Sequence, residues 1–148
     1  MKLSPAARAE LEEFFREFRG EGSLRLPAVK IHAGRAASWF TGRAGIGAIT
    51  LGRHVLIAPR HLRRRSGGSG AVTGRLLAHE VAHVLQAERA GLLPFLFSYL
   101  REYLNGMRRA AKWDTDAHWR AYSEISFERE AREAERAFEV WRAGRVKT

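Results

Sequence analysis

The chain has 148 residues, enough for one domain with a core of its own. Its 26 Lys and Arg outnumber its 16 Asp and Glu, but these charges do not gather with aromatic residues in a known nucleic-acid-binding module, so no specific nucleic-acid partner is predicted. The absence of cysteine excludes disulfides and Cys-based zinc sites.

The first predicted element is an N-terminal helix within residues 1–20. Ser4 and Pro5 suit a helix start, apolar residues follow at helical spacing, and Gly20 closes the helix. This charged helical start does not resemble a signal peptide, so we expect a cytoplasmic protein or one exported by a non-classical route. The most apolar segment, residues 92–100, is too short to cross a bilayer, so no transmembrane segment is predicted.

A small sheet is predicted over residues 28–59. It ends in two β-rich runs that flank Gly52 and Arg53, a pair that suits a two-residue hairpin turn. The arginine-rich residues 60–65 that follow abut a run of glycines and serines. We predict that they form an exposed loop.

Three further helices complete the predicted order. They cover residues 72–89, 95–107 and 126–143. The last one carries an apolar stripe at steps of four and three residues, whereas residues 111–123 show no clear period. A helix, a short sheet and then more helices predict a single compact α+β domain over residues 1–148.

The segment 76-LLAHEVAHVLQ-86 places two histidines and a glutamate in an apolar helical run. His79 and His83 are four residues apart, so both imidazoles lie on one helix face and can share a tetrahedral metal ion. Glu80 is rotated from His79 by roughly 100°, so it faces a water on the metal instead of serving as a ligand. In His-Glu-x-x-His sites zinc lowers the pKa of this water and the glutamate takes its proton. We predict one zinc ion per chain, with Glu80 as the general base.

A third zinc ligand must come from another part of the chain. Position 89 is Arg, so the variant with a third histidine six residues after the second is absent. A later helix supplies carboxylates instead, and helical periodicity does not choose among them. The candidates are Glu124, Glu128, Glu130, Glu133 and Glu135.

These stretches resemble a known family over residues 28–137. LLAHEVAHVLQ and YSEISFEREA, with AVKIHAG and GAITLGRHVLIAP before them, are similar to the zincin-like core domain of extracellular contractile injection systems. The resemblance implies a metallopeptidase of the gluzincin type, in which the first Glu of a Glu-x-x-Ala pattern is the third ligand. That position is Glu128, with Glu124 and Glu130 in reserve. The chain departs from the family at its hairpin turn, where Arg53 and His54 stand in place of the usual Asn or Asp.

The resemblance also implies a strand that pairs with an extended peptide substrate. In zincins this is an edge strand beside the metal. The candidate residues are His54, Val55, Leu56 and Ile57.

Two supporting roles are expected on chemical grounds. A His or Tyr should stabilise the oxyanion of the transition state, and the candidates are His118, Tyr122 and Tyr103. Acceptors should hold the second nitrogen of each ligand histidine, and Asp114 and Asp116 are available for this role.

The predicted function is therefore hydrolysis of peptide bonds in a peptide or protein substrate. The main alternative is a catalytically silent zincin-like module with a structural zinc, which acts in assembly or effector delivery beside a secretion system, an injection system or a toxin partner. A third alternative is a basic protein that uses its arginines on nucleic acid or a membrane surface.

Overall fold

The fold is a mixed α+β arrangement, as the sequence predicts. The computed structural model describes residues 2–35, 37–39, 47–58, 62–64 and 70–145, with backbone alone for 62–64 and 70–72. In chain order the elements are α1 (Pro5–Arg19), β1 (Lys30–His32), β2 (Ala48–Leu51), β3 (His54–Ile57), β4 (Leu62–Arg64), β5 (Gly70–Val72), α2 (Gly74–Ala90), α3 (Leu92–Arg108), α4 (Thr115–Glu124) and α5 (Ser126–Arg145).

The hairpin of the main sheet confirms the predicted turn, but it places β3 differently from the prediction. Gly52 has φ 58°, a conformation that glycine adopts readily, and Leu51 pairs with His54 across the two-residue turn. The strand order is β1-β3-β2, with β1 parallel and β2 antiparallel to β3. The prediction of His54–Ile57 as an edge strand is therefore wrong, because β3 is paired on both sides. Among the described residues β1 and β2 lie at the two edges of this sheet.

The prediction of a loop at residues 60–65 is wrong for residues 62–64, which form a strand. Leu62–Arg64 pairs antiparallel with Gly70–Val72 in a second, two-stranded sheet. Strands pair through backbone hydrogen bonds, which do not require alternating apolar side chains. A search for hydrophobic patterns therefore does not detect a strand made mainly of arginines. Residues 60, 61 and 65–69 lie outside the described residues, as do residues 36, 40–46 and 59 of the predicted sheet region.

Capping groups set the ends of the helices. The Ser4 hydroxyl accepts a hydrogen bond from the Ala7 N–H at 3.2 Å, so α1 begins where predicted. Helix α2 begins two residues later than predicted, because Val72 pairs in β5 and Thr73 is its N-cap. Helix α3 begins at Leu92 instead of residue 95, since Pro94 lies in the first turn, where its missing N–H costs nothing.

Helix α4 occupies a segment in which the sequence shows no clear period. Asp114 caps this helix by accepting from the Ala117 N–H at 2.8 Å. Ala117 and Ala121 are buried against α3, where a Cβ on Gly106 would stand 2.8 Å from the Cβ of Ala121. Because these contact residues are so small, the helix carries little of the hydrophobic signal that a periodicity search detects.

The main core lies between α1, the three-stranded sheet, α2 and α5. Phe14 and Phe138 meet edge to face with ring centroids 5.1 Å apart, which ties the first helix to the last. Ala78, Ala82 and Ala134 are fully buried, so α2 and α5 approach each other closely. This approach positions the site described next. Among the described helices, none has the length and apolar content that a bilayer crossing needs.

Candidate metal centre

Two helices bring together three side chains that suit a metal ion. His79 and His83 project from α2, and Glu128 lies in the first turn of α5. His79 Nε2 is 3.4 Å from Glu128 Oε2, and His83 Nε2 is 3.1 Å from Glu128 Oε1. Around a tetrahedral zinc ion with bonds of about 2.0–2.1 Å, neighbouring ligand atoms are about 3.3 Å apart. The two imidazole–carboxylate distances are close to this value, and one donor atom from each of the three residues lies within 4.8 Å of the others.

The burial of the carboxylate provides a second test of this fit. Glu128 is buried, and among the described residues its Oε2 forms no well-aligned hydrogen bond, although His79 Nε2 lies 3.4 Å away. A buried carboxylate oxygen without a partner is costly, and a cation in contact with it would remove that cost. The three residues therefore suit a cation in chemistry as well as in spacing.

The other candidate glutamates point elsewhere. Glu124 is exposed, and Glu130 accepts from Arg19 at 3.4 Å and from Gln86 at 3.1 Å. Glu135 lies on the far side of the His79 ring, with its Oε2 3.1 Å from Nδ1. In the described structure Glu128 is thus the candidate that shares a cluster with both histidines.

Hydrogen bonds fix the orientation of both imidazoles. His79 Nδ1 donates to Glu135, and His83 Nδ1 donates to the Gln86 side-chain oxygen at 2.8 Å. The Gln86 amide nitrogen donates to Phe127 O and Glu130 Oε2, both at 3.1 Å, so its oxygen must face His83. Both Nε2 atoms are therefore left facing Glu128.

The acceptor role predicted for Asp114 and Asp116 thus belongs to other residues. Asp114 caps α4, and Asp116 is exposed in the first turn of that helix. Gln86 lies three residues after His83, one helical turn away, and this spacing was a signal that the sequence offered. Glu135 could not be chosen from the sequence, because helical periodicity leaves five glutamates as equal candidates.

The electrostatics of the metal-free site favour positive charge. Burial lowers the pKa of His79, but the carboxylates of Glu128 and Glu135 outweigh burial and raise this pKa to about 10. Burial raises the pKa of Glu128, but the neighbouring imidazoles outweigh it and hold that pKa far below its usual range. A proton on His79 thus balances the buried carboxylate when no cation does.

Two tyrosines border Glu128. Tyr99 on α3 donates its hydroxyl proton to Glu128 Oε1 at 2.8 Å, and its ring lies 6.4 Å from that of Tyr122 on α4. Burial raises the pKa of both phenols, so both remain neutral donors. Tyr122 therefore lies beside Glu128. The Nδ1 of His118 is engaged with the Tyr103 hydroxyl at 2.7 Å, between α3 and α4. Tyr99 was not predicted, because it is one polar group within an apolar run.

Glu80 faces a cavity that His83 and Glu128 also line. The cavity has a volume of about 150 Å³ and lies between β2, α2 and α3. Glu80 is buried, and its Oε2 accepts from the Thr50 hydroxyl at 2.6 Å. Thr50 belongs to β2, so the strand beside the predicted general base is β2 and not β3.

Comparison with known proteins places the chain in a family. The family model of the eCIS core domain matches residues 2–91, more than half of the chain. The chain belongs to the eCIS core domain family. Neither the comparison with curated proteins nor the comparison with solved structures returned a match.

The matched segment contains only some of the site residues of this eCIS core domain. His79, Glu80 and His83 lie inside the segment, whereas Glu128 and both tyrosines follow its end at Gly91. The match also begins earlier than the predicted coverage of residues 28–137, because it includes α1. The histidines and Glu80 thus belong to the family segment, and the remaining site residues belong to the helices that follow it.

Proposed function

We propose that this eCIS core domain is a zinc-dependent peptidase that works beside a contractile injection system. The observation that carries the proposal is the convergence of His79, His83 and Glu128, whose donor atoms all lie within 4.8 Å of one another. Imidazole and carboxylate are ligands that zinc accepts, and three of them leave a fourth position for water or substrate. Bound zinc would supply Lewis acidity toward that water and toward a peptide carbonyl.

Glu80 is the proposed general base. It takes a proton as the water oxygen bonds to the carbonyl carbon, and it returns the proton to the amine nitrogen as the C–N bond breaks. The Thr50 hydroxyl occupies Glu80 Oε2, which leaves Oε1 to carry the proton. Tyr122 is the proposed donor to the developing oxyanion, because it is neutral and lies in the wall of the same cavity.

The walls of the cavity indicate what kind of peptide it would accept. Apart from the polar residues already named, the lining is apolar and comes from β2 and α3. Ile49, Leu51 and Leu96 contribute to it. We therefore expect a peptide with an apolar side chain beside the bond that is cut. As a described edge strand, β2 replaces β3 as the candidate for backbone pairing with substrate.

Metal content and peptide cleavage, measured on the same preparations, test the proposal. Wild type should hold about one zinc per chain, and Glu128→Ala should lose it or bind it far more weakly. Glu133→Ala serves as the matched control, because Glu133 is exposed on the same helix. Glu80→Gln should keep its zinc and cleave no member of a peptide library. If wild type takes up no metal even when zinc is supplied, the proposal fails.

The second candidate is a catalytically silent domain that acts in assembly or effector delivery. The family match favours it, because the matched family is described by an injection system and not by a reaction. Zinc that is retained together with a fourth protein ligand in X-ray absorption spectra, and no cleavage by wild type, would establish this candidate. Cleavage that disappears in Glu80→Gln would exclude it.

A further inference from the structure

The outward face of α3 carries a row of exposed apolar side chains. Leu93, Phe97, Leu100 and Leu104 recur at steps of four, three and four, so they align along one side of the helix. Leu93 is 77% exposed and Phe97 is 68% exposed. At about 200 Å² for a fully exposed side chain, the row presents on the order of 500 Å² of apolar surface, as much as the largest patch on a typical monomer. A patch of this size indicates an interaction surface.

The charges beside this apolar row are basic. Arg101 and Arg108 are seven residues apart on α3, both exposed, and they border the row along one side. The single carboxylate of this helix, Glu102, lies on the opposite face, where it accepts from the first residue of α5 at 2.7 and 2.8 Å. Arg109 and Lys112 add exposed positive charge just beyond the helix end. The occupant of the row should therefore carry negative charge around an apolar centre.

Charge and size decide between a second copy, a partner helix and a lipid surface. Two copies of a chain with net charge +10 would bring the same arginines together. The row is only about 16 Å long, which is short for contact with a partner helix. The apolar area of the row also falls below the roughly 800 Å² per partner of a standard protein interface. A lipid surface requires no such minimum, because binding grows with inserted apolar area and with attraction of cations to anionic headgroups.

We propose that α3 docks this protein on anionic membrane surfaces. Leu93, Phe97 and Leu100 enter the headgroup region, and Arg101 and Arg108 contact lipid phosphates. The helix lies in the plane of the surface, as amphipathic helices do. This docking does not depend on the proposed zinc chemistry.

Co-sedimentation of the full chain with lipid vesicles tests this proposal. We expect binding to vesicles of phosphatidylcholine with about 30% phosphatidylglycerol, a lipid that supplies the anionic surface charge, and none to phosphatidylcholine alone. The double variant Leu93→Ser/Phe97→Ser should bind at least about tenfold more weakly. Arg101→Gln/Arg108→Gln should lose about 25-fold, about fivefold for each charge. Val140→Ser is the matched control, because Val140 is 75% exposed on α5, outside the row.

Three outcomes would overturn the proposal. The first is that wild type fails to bind anionic vesicles. The second is that the Leu93→Ser/Phe97→Ser variant binds them as well as wild type does. The third is a lipid-free dimer in sedimentation velocity that this variant dissociates, which would assign the row to a second copy. Circular dichroism spectra that match wild type confirm that the exposed substitutions leave the fold intact.

Discussion

Replacing Gln86 by Leu should weaken both the fold and the metal site. Gln86 is fully buried beside His83, and its amide forms hydrogen bonds with His83, Phe127 and Glu130 at 2.8–3.1 Å. Leucine has a similar volume, so the substitution leaves the packing in place and removes all three hydrogen bonds. The loss of stability then reports the missing hydrogen bonds and not a cavity in the core.

The size of the effect follows from the groups that remain behind. The His83 Nδ1–H becomes a buried donor without a partner, whereas the Phe127 carbonyl keeps its hydrogen bond within α5 and Glu130 keeps Arg19. A buried donor left in this way costs about 1–3 kcal/mol. Part of this cost is offset because leucine gains more from burial than an amide does. We expect the free energy of unfolding to fall by about 1–3 kcal/mol, and zinc affinity to fall about 10–100-fold, because His83 is no longer oriented.

Two measurements check this prediction. Urea unfolding in the presence of a chelator gives the stability of the metal-free protein, and competition with a chromophoric chelator gives the zinc affinity. Glu88→Leu on the same helix is the control: Glu88 is exposed and pairs with Arg53 at 2.7 Å, so its loss should cost less than about 1 kcal/mol. The reasoning is refuted if Gln86→Leu changes stability by less than about 0.5 kcal/mol and leaves the zinc affinity at its wild-type value.

Three further predictions concern other parts of the molecule. Gly106→Ala should lower the free energy of unfolding by about 1–3 kcal/mol, because the added Cβ meets Ala121. Gly144→Ala is the control: its Cβ meets nothing within 4 Å, so it should raise this free energy by up to about 1 kcal/mol. Thermal unfolding that ranks the two variants the other way contradicts this prediction. The pKa of His79 is raised from 6.5 to about 10 in the metal-free protein, so its stabilising contribution is complete below pH 6.5 and is lost as the pH rises toward 10. Urea unfolding across that window should show falling stability, and a His79→Leu variant with the same slope would refute this assignment. Thr50→Val should leave zinc content unchanged and lower the rate of the proposed peptide hydrolysis about tenfold, because Glu80 loses the donor that orients it. An unchanged rate would show that Thr50 has no such role.

The part of the site that lies on one helix could be predicted from the sequence. The spacing of His79, Glu80 and His83 sets their directions through helix geometry alone. Glu128 could not be selected in this way, since five glutamates occupy neighbouring positions and the packing of α5 on α2 decides which of them faces the histidines. Tyr99 could not be selected for a related reason, because its hydrogen bond to Glu128 depends on where α3 lies against α5.

The parts of the fold that were missed depend on contacts that carry little sequence signal. Helix α4 packs through Ala117 and Ala121, which bury little apolar surface. The hairpin could be predicted from Gly52, but the position of β3 at the centre depends on where β1 joins the sheet. Alternation of side chains does not encode that choice, so the predicted edge strand was wrong.

The division of the site between α2 and α5 would make the proposed metal binding a late event in folding. A chain that ends at residue 91 would carry both histidines and Glu80 but not Glu128. The segment between them, which contains α3 and α4, must fold back before all three side chains meet. An ion that binds only the completed cluster adds its binding free energy to the stability of the whole chain, about 4 kcal/mol at a free concentration one thousand times its Kd. The resistance of this protein to unfolding and proteolysis would then follow the zinc supply of its compartment.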